Sequence, residues 1–128
     1  MASSSIEIVR RAHELVRHFD DRVFDCFAAD AVLEWPFAPP ALAKRYDGRD
    51  AIRALLAPRY AAMRAAGRQP IEYRRMAIHE LTDPSALVVE IETDAGLGFI
   101  QVFRVVRGAI ALQRDYFDSL AMAERLRV

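Results

Sequence analysis

The run Gly108-Ala109-Ile110-Ala111-Leu112-Gln113-Arg114-Asp115-Tyr116-Phe117-Asp118 reads as a β-strand with an acid in its middle. Successive side chains of a strand point to opposite faces. Gln113, Asp115 and Phe117 therefore share one side, and Leu112, Arg114 and Tyr116 the other. If the first set faces the interior, a carboxylate lies among apolar and aromatic groups. Burial there is costly, raises the acid's pKa and suits it to proton transfer.

Working outward, Val106-Arg107-Gly108 suits a three-residue hairpin loop with glycine in the left-handed position. That loop pairs Val105 with Ala109, Gln101 with Gln113, and Phe99 with Asp115. Phe99, Gln101, Phe103, Gln113, Asp115 and Phe117 then form one mostly aromatic face with amides and one acid, the make-up of a binding pocket. Val102, Arg104, Leu112, Arg114 and Tyr116 fall on the other face, which faces solvent or a dimer partner. The preceding turn leaves two registers open. A two-residue turn at Ala95-Gly96 brings Glu90 opposite Gln101 and beside Asp115, leaving Met76, Ile78, Val89 and Ile91 to be covered by a second subunit. A three-residue turn sends Val89 and Ile91 inward and the glutamates to water. We take the first as the working expectation.

Four strand candidates, Ile71–Leu81, Ala86–Thr93, Phe99–Val106 and Ala109–Phe117, are separated by turn residues. Helical patterns precede them. Ser4 and Glu7 form a capping box before an apolar series at Ile6, Val9, His13 and Val16, which predicts a helix over about 5–18. Asp20 or Asp21 caps a short second helix through Phe27. Ala31–Trp35 reads as a strand stopped by Pro36, and Phe37 to Tyr46, with Pro39 and Pro40, as a loop. Asp47-Gly48-Arg49-Asp50 opens a third helix with Ile52, Leu55, Leu56, Tyr60 and Met63 on one stripe, ended by Gly67. Pro58 should kink or split it. Helices first and hairpin-connected strands afterwards give a single α+β domain over 1–128: a cone-shaped, curved antiparallel sheet wrapped around three N-terminal helices and enclosing a small-molecule pocket.

Composition narrows the function classes. Eighteen basic residues balance eighteen acidic ones, and seventeen of the basic ones are arginines scattered along the chain. No net field favours nucleic acid or an anionic membrane. The start of the chain lacks signal-peptide regions and no apolar run is long enough to span a bilayer, so the expected location is cytoplasmic. Cys26, the single cysteine, reads as a packing residue. His13 on the apolar stripe reads as a core histidine bonded to a carbonyl. Its five-residue spacing to His18 is wrong for two ligands on one helical face, and no metal or cofactor is expected. Trp35, Tyr46 and Tyr60 are either core aromatics or polar-tipped rings lining a pocket.

Phe27-Ala-Ala-Asp-Ala-Val-Leu-Glu-Trp-Pro36, Tyr46-Asp-Gly-Arg-Asp-Ala-Ile52 and Gly108–Asp118, in this order of elements, resemble the SnoaL-like polyketide cyclases of the nuclear-transport-factor-2-like superfamily. That superfamily also holds ketosteroid isomerase and limonene epoxide hydrolase. The resemblance implies that Asp115 is a general acid or base. It puts Gln101 at the isomerase's oxyanion-hole position and Trp35 where the isomerase keeps its base. Glu90 resembles the active-site glutamate of the phenazine-biosynthesis A/B proteins. Asp94 matches an aspartate of the epoxide hydrolase, while Glu92 stands where that enzyme has its arginine. The implied function is an isomerase, cyclase or dehydratase acting on an apolar, oxygenated small molecule, with homodimers formed through the sheet. Asp115 and Glu90 are the expected catalytic residues. Trp35, Tyr46, Tyr60, Phe99, Gln101, Phe103, Gln113 and Phe117 are the expected substrate-binding residues. An epoxide hydrolase using Asp115-activated water and a non-catalytic ligand-binding protein are the rival readings.

Overall fold

A computed structural model describes residues 4–125. Helix α1 (Ser5–Arg17) starts as its capping residue predicts, the Ser4 hydroxyl accepting from the Glu7 N–H at 3.2 Å. Ile8, Val9, Ala12, His13 and Leu15 are its buried residues. A 3₁₀ turn over Asp21–Cys26 follows, capped by Asp20. Next come β1 (Phe27–Glu34), β2 (Arg45–Asp47) and α2 (Arg49–Ala65), then β3 (Tyr73–Glu80), β4 (Ala86–Thr93), β5 (Gly98–Val106), β6 (Ala109–Phe117) and α3 (Ser119–Arg125).

The strands form one six-stranded sheet in the order β2-β1-β6-β5-β4-β3. The expected antiparallel pairing holds everywhere except between β1 and β6, which run parallel. β2 takes the last two residues of the segment expected to be loop together with Asp47, the residue expected to open the third helix, and α3 was not expected from the sequence. Helix α2 runs through Pro58 without splitting. The proline cannot donate to the Ala54 carbonyl, but Ala54 and Pro58 both lie on the exposed side, where water takes the unpaired oxygen.

Two turns set which side chains face inward. Arg107 and Gly108 both have positive φ, 51° and 77°, and form a two-residue hairpin turn that pairs Val106 with Ala109. Continued unbroken, that register would set Gln101 opposite Arg114. A bulge intervenes: Val105 pairs with Ile110 but Arg104 pairs with Leu112, so Ala111 is the extra residue. Beyond it Gln101 meets Asp115 and Phe99 meets Phe117. The register differs by two residues from the expected one, and a two-residue shift preserves the face. Phe99, Gln101, Phe103, Gln113, Asp115 and Phe117 therefore do share the inner face.

The β4–β5 turn overturns the other expectation. The Thr93 N–H donates to the Leu97 carbonyl, leaving Asp94-Ala95-Gly96 as a three-residue loop with Gly96 at φ 80°. Val89 then pairs with Gln101 and Ile91 with Phe99, both on the inner face, and Glu90 pairs with Ile100 on the outer one. Met76 and Ile78 pair with Ile91 and Val89, so this apolar set is core-facing and is not the dimer surface expected for it. The core is built from this face, α1, the 3₁₀ turn and α2, with Val9, Phe24, Ala31, Ile52, Val89 and Ile110 fully buried.

Two carboxylates, half-buried Asp20 and exposed Asp83, tie down turns. Asp20 accepts from the Arg22 guanidinium and N–H, and Asp83 from the Ser85 N–H and hydroxyl and from Arg104. These bonds hold both carboxyls at about 2, against an ordinary 3.8. Because the folded values lie below the unfolded one, their stabilisation is complete above the ordinary value and is lost as pH falls through about 2. The urea midpoint should drop across that window, and less steeply in Asp83→Asn.

Candidate active site

Between the inner face of the sheet and helices α1 and α2 lies a cavity of about 200 Å³. Its wall comes from Ala12, His13 and Val16 of α1, Leu56 and Tyr60 of α2, and strand residues including Phe99, Gln101, Phe103, Gln113 and Asp115. An apolar cavity of about 150 Å³ holds a benzene ring. The chamber thus has room for a compact organic molecule.

Asp115 sits in its wall at 7% exposure, among amides and rings. Its Oδ1 accepts from Gln101 Nε2 at 2.9 Å, Oδ2 accepts from Trp35 Nε1 at 3.0 Å, and Gln113 Nε2 lies 3.1 Å from both oxygens. Burial pushes the carboxyl up; the donors from Gln113, Trp35 and Gln101 pull the other way without cancelling it. Removing one donor should raise it further. In Trp35→Phe the ring can keep its edge contacts with Tyr46 and Phe117, at 5.6 and 6.0 Å, while the N–H on Oδ2 is gone. The Asp115 titration midpoint, read from a ¹³C-labelled carboxyl, should move to higher pH.

Gln101 is held at both ends, its Oε1 lying 2.7 Å from His13 Nε2. His13 Nδ1 bonds the Val9 carbonyl one helical turn back at 2.7 Å, as expected for a core histidine. The ring stands edge-on to Tyr73 and Phe103, and the Tyr73 hydroxyl donates to the His13 carbonyl at 3.0 Å. Burial pushes the phenols of Tyr60 and Tyr73 far up, so both stay protonated. Tyr60 lines the chamber, and its protonated hydroxyl is a hydrogen-bond donor in that wall.

Of the expected binding residues, Trp35, Tyr60, Phe99, Gln101, Phe103 and Gln113 line this chamber. Tyr46 and Phe117 do not: they back Trp35 from behind, and Phe117 also packs edge-on against Phe99. Glu90, expected beside Asp115, does not line the chamber. On the outer face it accepts from His79 Nε2 at 2.7 Å and lies 3.7 Å from Arg75, which together hold its carboxyl below the ordinary range. An open cleft of about 330 Å³ runs beside it, lined by charged Arg75, Glu90 and Glu92 with Ile100 and Tyr116. Asp115 is not part of it. Glu92 also points outward, 3.6 Å from Arg74, and exposed Asp94 belongs to the β4–β5 loop. Tyr73 and Thr93 line the chamber but are absent from the sequence reading of the site.

A curved, unclosed sheet folded over its helices around such a chamber is the nuclear-transport-factor-2-like fold, and this chain has it. No family model matches the sequence. An uncharacterised PhzA/B-like protein of Pseudomonas aeruginosa is 29% identical over 132 residues, covering 94% of this chain and 88% of that protein. Among solved structures, a candidate isomerase from Bacillus subtilis has a TM-score of 0.72 at 21% identity, covering 96% of this chain and 92% of its own. A candidate polyketide cyclase from Xanthomonas campestris pv. campestris has a TM-score of 0.68 at 17% identity, covering 95% and 96%. TerC, crystallised with polyporic acid, also has a TM-score of 0.68, at 19% identity over 98% and 100%. These likenesses bear out the expected fold.

Proposed function

We propose that the protein is a cofactor-independent acid–base enzyme, an isomerase, cyclase or dehydratase, acting on a compact, neutral, mostly apolar molecule that carries a carbonyl. The observation that carries this reading is Asp115: one carboxyl buried in the wall of an apolar chamber, its oxygens ringed by N–H groups. Among the described residues neither lysine nor arginine lines the chamber, which argues against an anionic substrate. The names borne by the structural relatives, a candidate isomerase and a candidate polyketide cyclase among them, lie in the same direction.

In this mechanism the Asp115 carboxylate takes a proton from the carbon next to the carbonyl. The electron pair stays on the substrate as an enolate, and the same proton returns at another atom or assists loss of a hydroxyl. Gln101 is occupied at both ends by His13 and Asp115, so the Tyr60 hydroxyl is the better candidate donor to the enolate oxygen. Epoxide opening gains no support, because Glu92 at the expected arginine position faces away from the chamber.

The test is deuterium exchange at the α-carbon of a panel of neutral cyclic ketones in heavy water, followed by proton NMR. The wild type should catalyse exchange and Asp115→Asn should not. Binding without exchange, or equal exchange by both, would sink the enzyme reading and favour a ligand-binding protein. We further infer a homodimer through the outer face, where Ile100 is 42% and Phe37 57% exposed and Phe37 packs edge-on against Tyr116 at 5.5 Å. Ile100→Glu should shift the protein to monomer in sedimentation velocity.

A further inference from the structure

We infer that His13 carries the counter-charge of Asp115, transmitted through the Gln101 amide, so that Asp115 rests as a carboxylate and enters the reaction as a base. This rests on the acid–base reading above and fixes the direction in which Asp115 works.

His13 Nδ1 lies 2.7 Å from the Val9 carbonyl oxygen, which has no proton to give, so Nδ1 carries one. Nε2 lies 2.7 Å from Gln101 Oε1, a second acceptor, and a hydrogen bond there needs a proton on Nε2 as well. A ring protonated on both nitrogens is an imidazolium. Gln101 then turns its NH₂ end to Asp115, where Gln113 and Trp35 supply further N–H groups. Asp115 faces three donor side chains and no acceptor. Those are the surroundings of a carboxylate; a carboxylic acid would need an acceptor for its own O–H.

A half-turn of the Gln101 amide produces the opposite arrangement. Its NH₂ would donate to a bare Nε2, and its oxygen would accept from a protonated Asp115. Both arrangements hold the same number of protons, so the direction of the amide decides whether the pair is charged or neutral. His13 is held by its bond to Val9 and by the edges of Tyr73 and Phe103. The titratable groups facing the chamber are His13 from α1, Tyr60 from α2, Tyr73 from β3 and Asp115 from β6, and both phenols are neutral. Among the described residues that line the chamber, only His13 can supply positive charge.

The consequence for the reaction is a charge that moves within a fixed field. When the proton passes from the substrate carbon to an Asp115 oxygen, the negative charge passes to the substrate, and the His13 cation remains in the wall to face it. His13 is a positioning residue, acting through Gln101.

The test uses the full chain labelled with ¹⁵N-histidine and ¹³Cγ-aspartate, observed by NMR at pH 7. One histidine, assigned by its loss in His13→Gln, should show protons on both ring nitrogens, and should hold one proton in Asp115→Asn. In His13→Gln and His13→Phe the acidity constant of the Asp115 carboxyl should fall at least tenfold, as expected for loss of a nearby opposite charge. A His13 ring with a single proton in the wild type would overturn the proposal. So would an unchanged Asp115 titration in whichever variant stays folded by circular dichroism. None of these readings needs turnover: an intact charged pair without α-proton exchange defeats the acid–base function alone, and exchange without the charged pair defeats this inference alone.

Discussion

Asp115→Asn is expected to lower the turnover number by about 10²–10⁴-fold, the usual range for loss of a positioned general acid or base. The substitution keeps the size and planarity of the side chain but removes the atom that accepts the substrate's proton. Its surroundings can adapt, since Gln101 and Gln113 are amides that present either end. The fold should therefore survive, with an unchanged circular dichroism spectrum. Stability gives a second reading with a definite sign. Burial raises the folded-state pKa of Asp115 above its unfolded value, so the folded chain binds the extra proton. The stability that group contributes is fully present below the ordinary carboxyl value and is lost as pH rises through the raised one. Wild type minus Asp115→Asn should thus decline in that window on urea titration, then level off. Loss of turnover with no such decline would place the acid's role elsewhere than in a buried, titrating carboxyl.

Phe24→Ala should cost about 3–5 kcal/mol of folding free energy, as for other buried phenylalanines cut to alanine. Phe24 is fully buried in the 3₁₀ turn, stacked on Tyr60 with centroids 6.0 Å apart and planes 17° apart, and the Arg53 guanidinium lies 5.5 Å from its centroid. Its loss opens a void that α2 cannot fill by rotating, because Ile52 and Tyr60 are both pinned in the core. Domains of this kind are stable by about 5–15 kcal/mol, so the variant should sit near the edge of folding. The Tyr60 ring also loses its backing, and ligand affinity should weaken with it. Leu120→Ala is the control. Its side chain is 78% exposed on α3, and the urea midpoint should barely move.

The inner face of β5 and β6 was legible in the residues because alternation decides it and a two-residue error in register leaves it unchanged. Asp115, Gln101, Gln113, Phe99 and Phe103 all fall where alternation places them. Glu90 shows the opposite case: its face depends on whether the β4–β5 turn has two or three residues, and Asp94-Ala95-Gly96 accommodates either. The helical stripe shows that His13 is buried, but its partner Gln101 lies 88 residues away, beyond any local pattern. The parallel β1–β6 pairing is a long-range contact of the same kind. α3 is only seven residues long and has no buried face to mark it.

The bulge at Ala111 gives chain length a chemical meaning in this hairpin. Were Ala111 to pair with Arg104 instead of bulging, every later residue of β6 would change sides: Gln101 would meet Arg114, Arg114 and Tyr116 would enter the chamber, and the acid would leave it for solvent. Excision of Ala111 would have no such effect, because Leu112 would follow Ile110 in a regular ladder and Asp115 would still meet Gln101. A related sequence one residue shorter at this point therefore keeps the acid inside without a bulge, whereas one of equal length keeps it inside only with the bulge. Homologues of this chain should be compared by the residue count between the Arg107-Gly108 turn and the acid together with the presence of the bulge, and only then by which residues those are.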